Sequence, residues 1–428
     1  MDRRRFLTTG GLALAGFGLS GCATTTTGSS RGSRTPAPRA PVNLALPRVS
    51  FDRIIRTTVG LRPHRDSGFV LRAERLDTKT LIHDYGFAGT GMSLAWGAGV
   101  LVSEFAQETT GPRRVAVIGC GSPGLAAARQ LQRRGFDVTI YAATVPPDTT
   151  SNMSLAGFTP TTALVNNERR TPAWDAQFLR AAEMSYRQLQ LMVGRDYGVY
   201  WIDSYNASDS PTPGPGGGGR GGGGRGAENG ATDADLLPEL LRPNRNREVL
   251  GPGEHPFATK YAIRTPALAI EPSIYMDALV RDFLQFGGRI VIRKFDTPRD
   301  LMTLPEPIVV NCTGLGSLTL FDDKELVPIK GQLTALVPQP EVTYRLNGRS
   351  PSGGNASINP RSDGLIVGNL QDRGNFSLVP DQEVLQRNVQ AAIDFFATMR
   401  PAAPGAHLTR SEPPQTMPSI ESFFDAQS

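Results

Sequence analysis

The chain has 428 residues, 39% hydrophobic and 20% charged, an ordinary globular composition with room for two domains. Its net charge of +5 is local, because seven arginines and a single acid fall in residues 1–48 and the rest of the chain is close to neutral. The folded part therefore has no basic surplus for neutralising phosphates, which excludes a nucleic-acid partner.

Residues 1–22 read as an address rather than as structure. Arg3-Arg4 precede Phe6-Leu7 in a twin-arginine export pattern, and the apolar run that follows is too short and glycine-rich for a stable spanning helix. It ends in "LSGC", similar to a bacterial lipobox, so lipidation is expected at Cys22. The alternative is a cleaved signal or an N-terminal anchor with an incidental cysteine. The expected location is the periplasmic or extracellular side of a bacterial membrane, reached by the twin-arginine route and held by lipid. That route carries folded proteins and suits a chain that loads a cofactor first. Residues 23–48 lack an apolar period and read as a flexible tether.

The next segment contains "GLRPHR", which holds Arg62 beside a proline. A guanidinium grips a carboxylate through two parallel hydrogen bonds, although a surface ion pair is the plainer reading of one arginine. "DYGFAGTGMSLAWGAG", Asp84–Gly99, is a glycine-rich loop running into a helix; alone it reads as a packing turn. "VAVIGCGSPGLAAARQL" follows, with a strand, then Gly119, Gly121 and Gly124, then a helix. Gly119 suits a tight turn, Gly121 close backbone approach to a pyrophosphate, and Gly124 close helix–sheet packing. The helix start adds unpaired N–H groups and a partial positive charge. The acid expected at the end of the next strand to hold a ribose is missing, since "TIYAAT" has Ala142 and Ala143 there.

Residues 211–230 are a glycine-rich, low-complexity break, read as a disordered surface insertion within one domain. "SIYMDALVRDFLQFGG" is an amphipathic helix and "RIVIRKF" a strand after it. "PIVVNCTG" is a buried strand ending in a turn of small residues that suits either a cofactor or packing alone. "QEVLQRNVQAAIDFFATM" is the last helix, and residues 401–428 read as a tail or an irregular packed strap. Besides Cys22 there are only Cys120 and Cys312, and their spacing leaves a disulfide open.

Together these motifs resemble the D-amino-acid oxidase family of FAD-dependent oxidoreductases. "VAVIGCGSPGLAAARQLQRRGFDVTIYA" is similar to its first βαβ unit and "DTTSNMSLAGFTP" to the loop that follows. "VVNCTGLGSLTLFDDKELVPIKGQ" resembles its flavin-side turn, and "PRSDGLIVGN" its active-site hairpin. "RIIRTTVGLRPHRDSGFVL" and "LIHDYGFAGTGMSLAWGAGVLVSEFA" resemble the segment that closes the family's chain, yet here they come first. A circular permutation is the economical explanation. The hairpin also departs, with Ser357 or its neighbours where the family carries a tyrosine.

The resemblance implies an α/β FAD-binding Rossmann-like domain (63–165 and 270–322) interleaved with an α+β substrate domain on a mostly antiparallel sheet (49–62, 166–269 and 323–400). FAD is the implied cofactor, with contacts at Gly119, Gly121, Ser122, Pro123, Gly124, Thr150, Ser151, Cys312, Thr313, Gly314, Gly89, Thr90, Gly91, Met92 and Ser93. Arg62 is the implied anchor for a substrate carboxylate. The implied reaction is oxidation of the Cα–N bond of a D-amino acid or related amino-carboxylate by hydride transfer, with oxygen or a membrane acceptor taking the electrons. Alternatives are a membrane-associated flavin dehydrogenase of another amine or hydroxy acid, and an FAD-binding protein that has lost catalysis.

Overall fold

The computed structural model describes residues 40–212, 230–242 and 246–409. The export and lipobox motifs with Cys22, residues 410–428, and the glycine-rich insertion apart from its ends lie outside the described residues.

In chain order, β1 (Ile54–His64), β2 (Val70–Leu76) and β3 (Lys79–Tyr85) lead into α1 (Gly91–Gln107). Then come β4 (Arg114–Ile118), α2 (Ser122–Arg133), β5 (Asp137–Ala142), α3 (Pro172–Leu191) and β6 (Val199–Ser208). The middle holds a short α4 (Asp233–Leu236), β7 (Glu248–Leu250), β8 (Tyr261–Ile270), α5 (Pro272–Gln285) and β9 (Arg289–Ile292). A short α6 (Pro298–Met302), β10 (Ile308–Asn311) and a short α7 (Ser317–Leu320) follow. The last part is β11 (Val327–Leu336), β12 (Tyr344–Arg349), β13 (Asn355–Arg361), β14 (Gly364–Val367), β15 (Asp372–Arg373) and α8 (Gln382–Ala397).

The strands build two sheets. One has the order β2-β3-β10-β4-β5-β9 and is parallel except for β2. Parallel strands need both faces covered, and β4 shows it: Val115 and Val117 enter the core under the helices, Ala116 and Ile118 the smaller core on the other face. The helix layer is tight because its contacts are glycine and alanine. A Cβ on Gly99 would lie 3.0 Å from the Ala127 backbone of α2, and one on Gly97 would lie 2.0 Å from the Ala181 carbonyl of α3. Leu125, Ala128 and Leu131 of α2 are fully buried against this layer, about 1.5–3 kcal/mol for each leucine.

The other sheet runs β1-β11-β14-β13-β12-β6-β8-β7, with β15 on β11, and is antiparallel apart from β12 beside β6. Its outer face carries Tyr205, Tyr344, Leu346, Ala356 and Ile358, which pack with Val389, Phe395 and Phe396 of α8 into a second core. The alternate residues face inward and are polar.

The structure bears on three expectations. Residues 41–48 are not a free tether: Leu44 and Ala45 are buried in the second core, and the Tyr344 hydroxyl donates to the Ala45 carbonyl at 2.9 Å. The tail is packed as far as Thr409, whose N–H donates to Asn43 O at 2.6 Å and whose Oγ1 accepts from Asn43 N–H at 3.1 Å. Helix α3, assigned with the substrate-binding segments, lies against α1 over the parallel sheet because Gly97 admits Ala181. Cys120 and Cys312 are buried free thiols.

The α1–α3 contact supplies a test. Gly97→Ala places a methyl on the Ala181 carbonyl and should cost about 3 kcal/mol in urea unfolding. Gly91→Ala, whose Cβ meets nothing closer than 3.9 Å, should stay within about 0.5 kcal/mol of the parent.

Candidate active site

Both sheets border one cavity of about 1130 Å³. At one end the β4–α2 turn forms a backbone cradle. Gly119 has φ +115°, and a Cβ there would lie 2.5 Å from the Cys312 carbonyl; a Cβ on Gly124 would lie 2.1 Å from the Gly119 carbonyl. No side chain larger than hydrogen fits either place. Gly121 is the N-cap of α2 and supplies no side-chain cap, Pro123 has no N–H, and the Ser122 N–H donates to Ser151 Oγ at 2.9 Å. The helix start thus presents its positive end to the cavity, as an anion such as a diphosphate requires. Beyond it the wall is formed by Ala142, Ala143 and Thr144, with Lys294 and Asp296 from the segment after β9. No acid stands at the end of β5.

The middle of the cavity is shaped by two turns. After β3, Ala88 is held at φ +47° by its N–H donating to the Pro63 carbonyl at 2.8 Å, and the Thr90 hydroxyl closes the turn on Phe87 O at 2.7 Å. This brings Gly89, Gly91 and Met92 to the wall and aims the start of α1 at the same space as that of α2. After β10, Thr313 and Gly314 (φ +57°) form the opposing turn, fixed by Thr313 Oγ1 donating to Asn311 Oδ1 at 2.7 Å.

The other end is bounded by the inward face of the antiparallel sheet. Arg62 on β1 lies along Gly331 of β11, where a Cβ would come 2.8 Å from its Nη2, and Nη2 donates to Asn369 Oδ1 at 3.1 Å. No carboxylate pairs with Arg62 among the described residues, and burial pushes its ionisation down to about 10, so it stays charged at neutral pH. A buried, oriented guanidinium without a counter-ion is suited to an anionic ligand.

A family model described as FAD dependent oxidoreductase (DAO) matches residues 114–422. The chain belongs to that family. It is an FAD-dependent oxidoreductase. A D-amino-acid oxidase of Rubrobacter xylanophilus is 26% identical over 322 residues, 72% of this chain and 89% of the relative. A D-amino acid oxidase of Dugesia ryukyuensis is 24% identical over 279 residues, 63% of this chain and 73% of the relative. Among solved structures, glycine oxidase from Geobacillus kaustophilus matches with a TM-score of 0.46 at 18% identity, covering 68% of this chain and 81% of that one.

The residues of this oxidoreductase fit FAD. The Gly119–Gly124 cradle has the backbone shape for a diphosphate, and Asp84 Oδ1, a buried polar atom bordering the cavity, has no partner among the described residues. Of the expected contacts, Gly119, Gly121, Pro123, Thr150, Ser151, Cys312, Thr313, Gly314, Gly89, Gly91 and Met92 line the cavity, as does Arg62. Ser122, Gly124, Thr90 and Ser93 do not. Gly124 is needed for packing, and the Thr90 hydroxyl closes its own turn. Ser93 Oγ donates to Gly157 O at 2.8 Å and accepts from Thr159 N–H at 2.9 Å, pinning the loop after β5.

Sequence reasoning missed Asp84, Asn359, Asn369 and Arg345. Burial pushes the Asp84 carboxyl up to about 7, opposed by a hydrogen bond from Cys312 Sγ at 3.5 Å. The folded FAD-free protein therefore keeps a proton that the unfolded chain loses near pH 4. Asp84's own contribution to stability is therefore greatest in acid and falls as pH rises from about 4 to about 7. Asp84→Asn removes that fall. Its advantage over the parent in urea unfolding should widen by about 2–3 kcal/mol between about pH 5 and pH 8. A constant difference across that range would show that Asp84 is not the group being titrated.

Proposed function

We propose that this flavoenzyme oxidises the Cα–N bond of a D-amino acid or related amino-carboxylate. The observation that carries the reading is Arg62, a half-buried guanidinium facing the cavity with no carboxylate partner among the described residues. The relatives named D-amino-acid oxidase favour an amino-acid substrate of D configuration. In this reading the Gly119–Gly124 cradle, with Ser151 and Thr150, holds the FAD diphosphate, while Gly89–Met92 and Thr313–Gly314 border the flavin. Bound FAD supplies the acceptor for the hydride leaving Cα. Arg62 grips the carboxylate in a bidentate pair, Asn369 fixes the plane of the guanidinium, and the substrate is thereby oriented and shielded from water. The nitrogen gives up its proton as the C=N bond forms, and the imino acid released hydrolyses to a keto acid and ammonia. Oxygen or a membrane acceptor then takes the electrons.

The same proposal takes residues 50–107 as the family's closing segment placed first by circular permutation. It is supported by a family match that begins at residue 114 and by a β3 strand that sits beside β10 in the sheet containing β4. The enzyme is further proposed to be exported by the twin-arginine route and held by lipid at Cys22, on the strength of those motifs.

Purified holoenzyme titrated anaerobically with D-amino acids should lose its visible flavin band. Arg62→Met should lower kcat/KM by roughly 30-fold or more, the cost of stranding one partner of a buried charge pair. Unchanged flavin reduction in that variant, by every D-amino acid that reduces the parent, would reject Arg62 as the anchor.

A further inference from the structure

The inward face of the antiparallel sheet carries a second arginine that the reading above leaves unused. Cross-strand register sets Asn359, Arg345, Ser204 and Thr265 in one row, and Ser357, Asn347 and Asn206 in the next. All of them border the cavity. Their sequence neighbours Tyr344, Leu346, Tyr205 and Ile358 point the other way into the second core. Two such rows give the cavity a polar wall on this side, suited to a polar ligand.

Arg345 supplies the only formal charge in these rows. Its Nε donates to Asn359 Oδ1 and its Nη2 to the Ala156 carbonyl at 3.0 Å, both neutral acceptors. These bonds fix the plane of the guanidinium and leave Nη1 without a protein acceptor among the described residues. Gly157 keeps the space beside Nη1 open, since a Cβ there would lie 3.2 Å away. Arg345 makes no ion pair among the described residues; the groups that bear on it are the Tyr200 phenol and then Arg361, of like sign and already paired with Asp363. Burial accordingly pushes its ionisation down, with no carboxylate to offset it. Arg264 and Arg361 of the same sheet face carboxylates, Arg264 facing Asp203 at 2.8 Å. An uncompensated buried guanidinium is tolerated where a ligand brings the anion.

We propose that the cavity takes an amino-dicarboxylate, with Arg62 holding the carboxylate next to the reacting carbon and Arg345 holding the second one. This rests on the assignment of Arg62 under the proposed function. The two arginines share one wall. Asn369, bonded to Arg62, follows β14, and the adjacent Gly368 N–H donates to Ser357 O of β13 at 3.2 Å; β12, with Arg345, is the next strand. Asn369 and Arg345 thus stand two strands apart, roughly 10 Å of backbone, a gap that an arginine side chain and a short diacid bridge.

The test compares acids with their amides on the holoenzyme: D-aspartate with D-asparagine, and D-glutamate with D-glutamine, by anaerobic flavin reduction. At least one acid should exceed its amide by roughly 30-fold in kcat/KM, and Arg345→Met should collapse that ratio toward one. Acid and amide performing alike in the parent would overturn the proposal while leaving amine oxidation standing. A variant that keeps the ratio but loses FAD would assign Arg345 to the cofactor and overturn it equally. Should no D-amino acid reduce the flavin, the underlying reading fails, and binding decides the diacid site separately. Succinate and glutarate should then perturb the flavin spectrum at concentrations roughly 30-fold below butyrate in the parent but not in Arg345→Met. Equal affinity for diacid and monoacid would reject the site.

Discussion

The structure depends on how closely α1, α2 and the parallel sheet approach one another. Gly119 touches the Cys312 carbonyl, Gly124 touches Gly119, Gly99 touches the α2 backbone, and Gly97 touches α3. Each contact is at a distance where a methyl group has no room, so the four glycines act as spacers of minimum thickness. One consequence is that two helix starts open on one cavity and turn their partial positive charges toward the same space. The nucleotide cradle is therefore a packing property before it is a binding property, which explains why Gly124 matters without lining the cavity.

The opposite wall obeys a different constraint. The antiparallel sheet separates an apolar core from a polar interior, and strict alternation along β6, β12 and β13 is what keeps the two apart. Because that interior is shielded, charges on it are strong and conspicuous. Arg62 and Arg345 hold positive charge with no carboxylate partner among the described residues, and Asp84 at the cavity wall resists ionisation. A fixed charge in a shielded cavity orients a ligand of opposite charge without reorganisation when it binds.

The parallel half was legible in the sequence because each element carries a local signal. "VAVIGCGSPG" states strand, turn and helix in ten residues, and "PIVVNCTG" states a buried strand and its turn. The antiparallel half was legible as a sheet type but not in its pairing, although a strand signal is present: "TYRLNGR", "DSYNAS" and "NASINP" all alternate apolar with polar. Such short runs do not say which strand pairs with which, and only pairing turns Arg345, Asn359 and Ser204 into one row. Asp84 was hidden for a related reason. It sits one residue before the end of β3, and its isolation appears only when β10 brings Cys312 beside it. Residues 41–48 misled through composition, since proline and small residues mask the two side chains, Leu44 and Ala45, that anchor the segment.

Strand order supplies the last step. β3 and β4 are not neighbours; both are parallel to β10, which lies between them yet arrives about 200 residues later. The chain leaves β3, crosses over the sheet as α1, and returns through the short segment between Gln107 and Arg114 to start β4. Parallel neighbours always need such crossovers, and a helix packed on the sheet meets the requirement whichever strand the chain visits first. The sheet therefore constrains where β3 and α1 lie and leaves open when they are made. What cannot be moved is the contact set, with Ala88 on Pro63, Gly99 on Ala127 and Arg62 against Gly331. The last two join residues 54–107 to the rest of the molecule, Arg62 and Gly331 at the cavity wall itself, so the segment is part of the site wherever it stands in the chain.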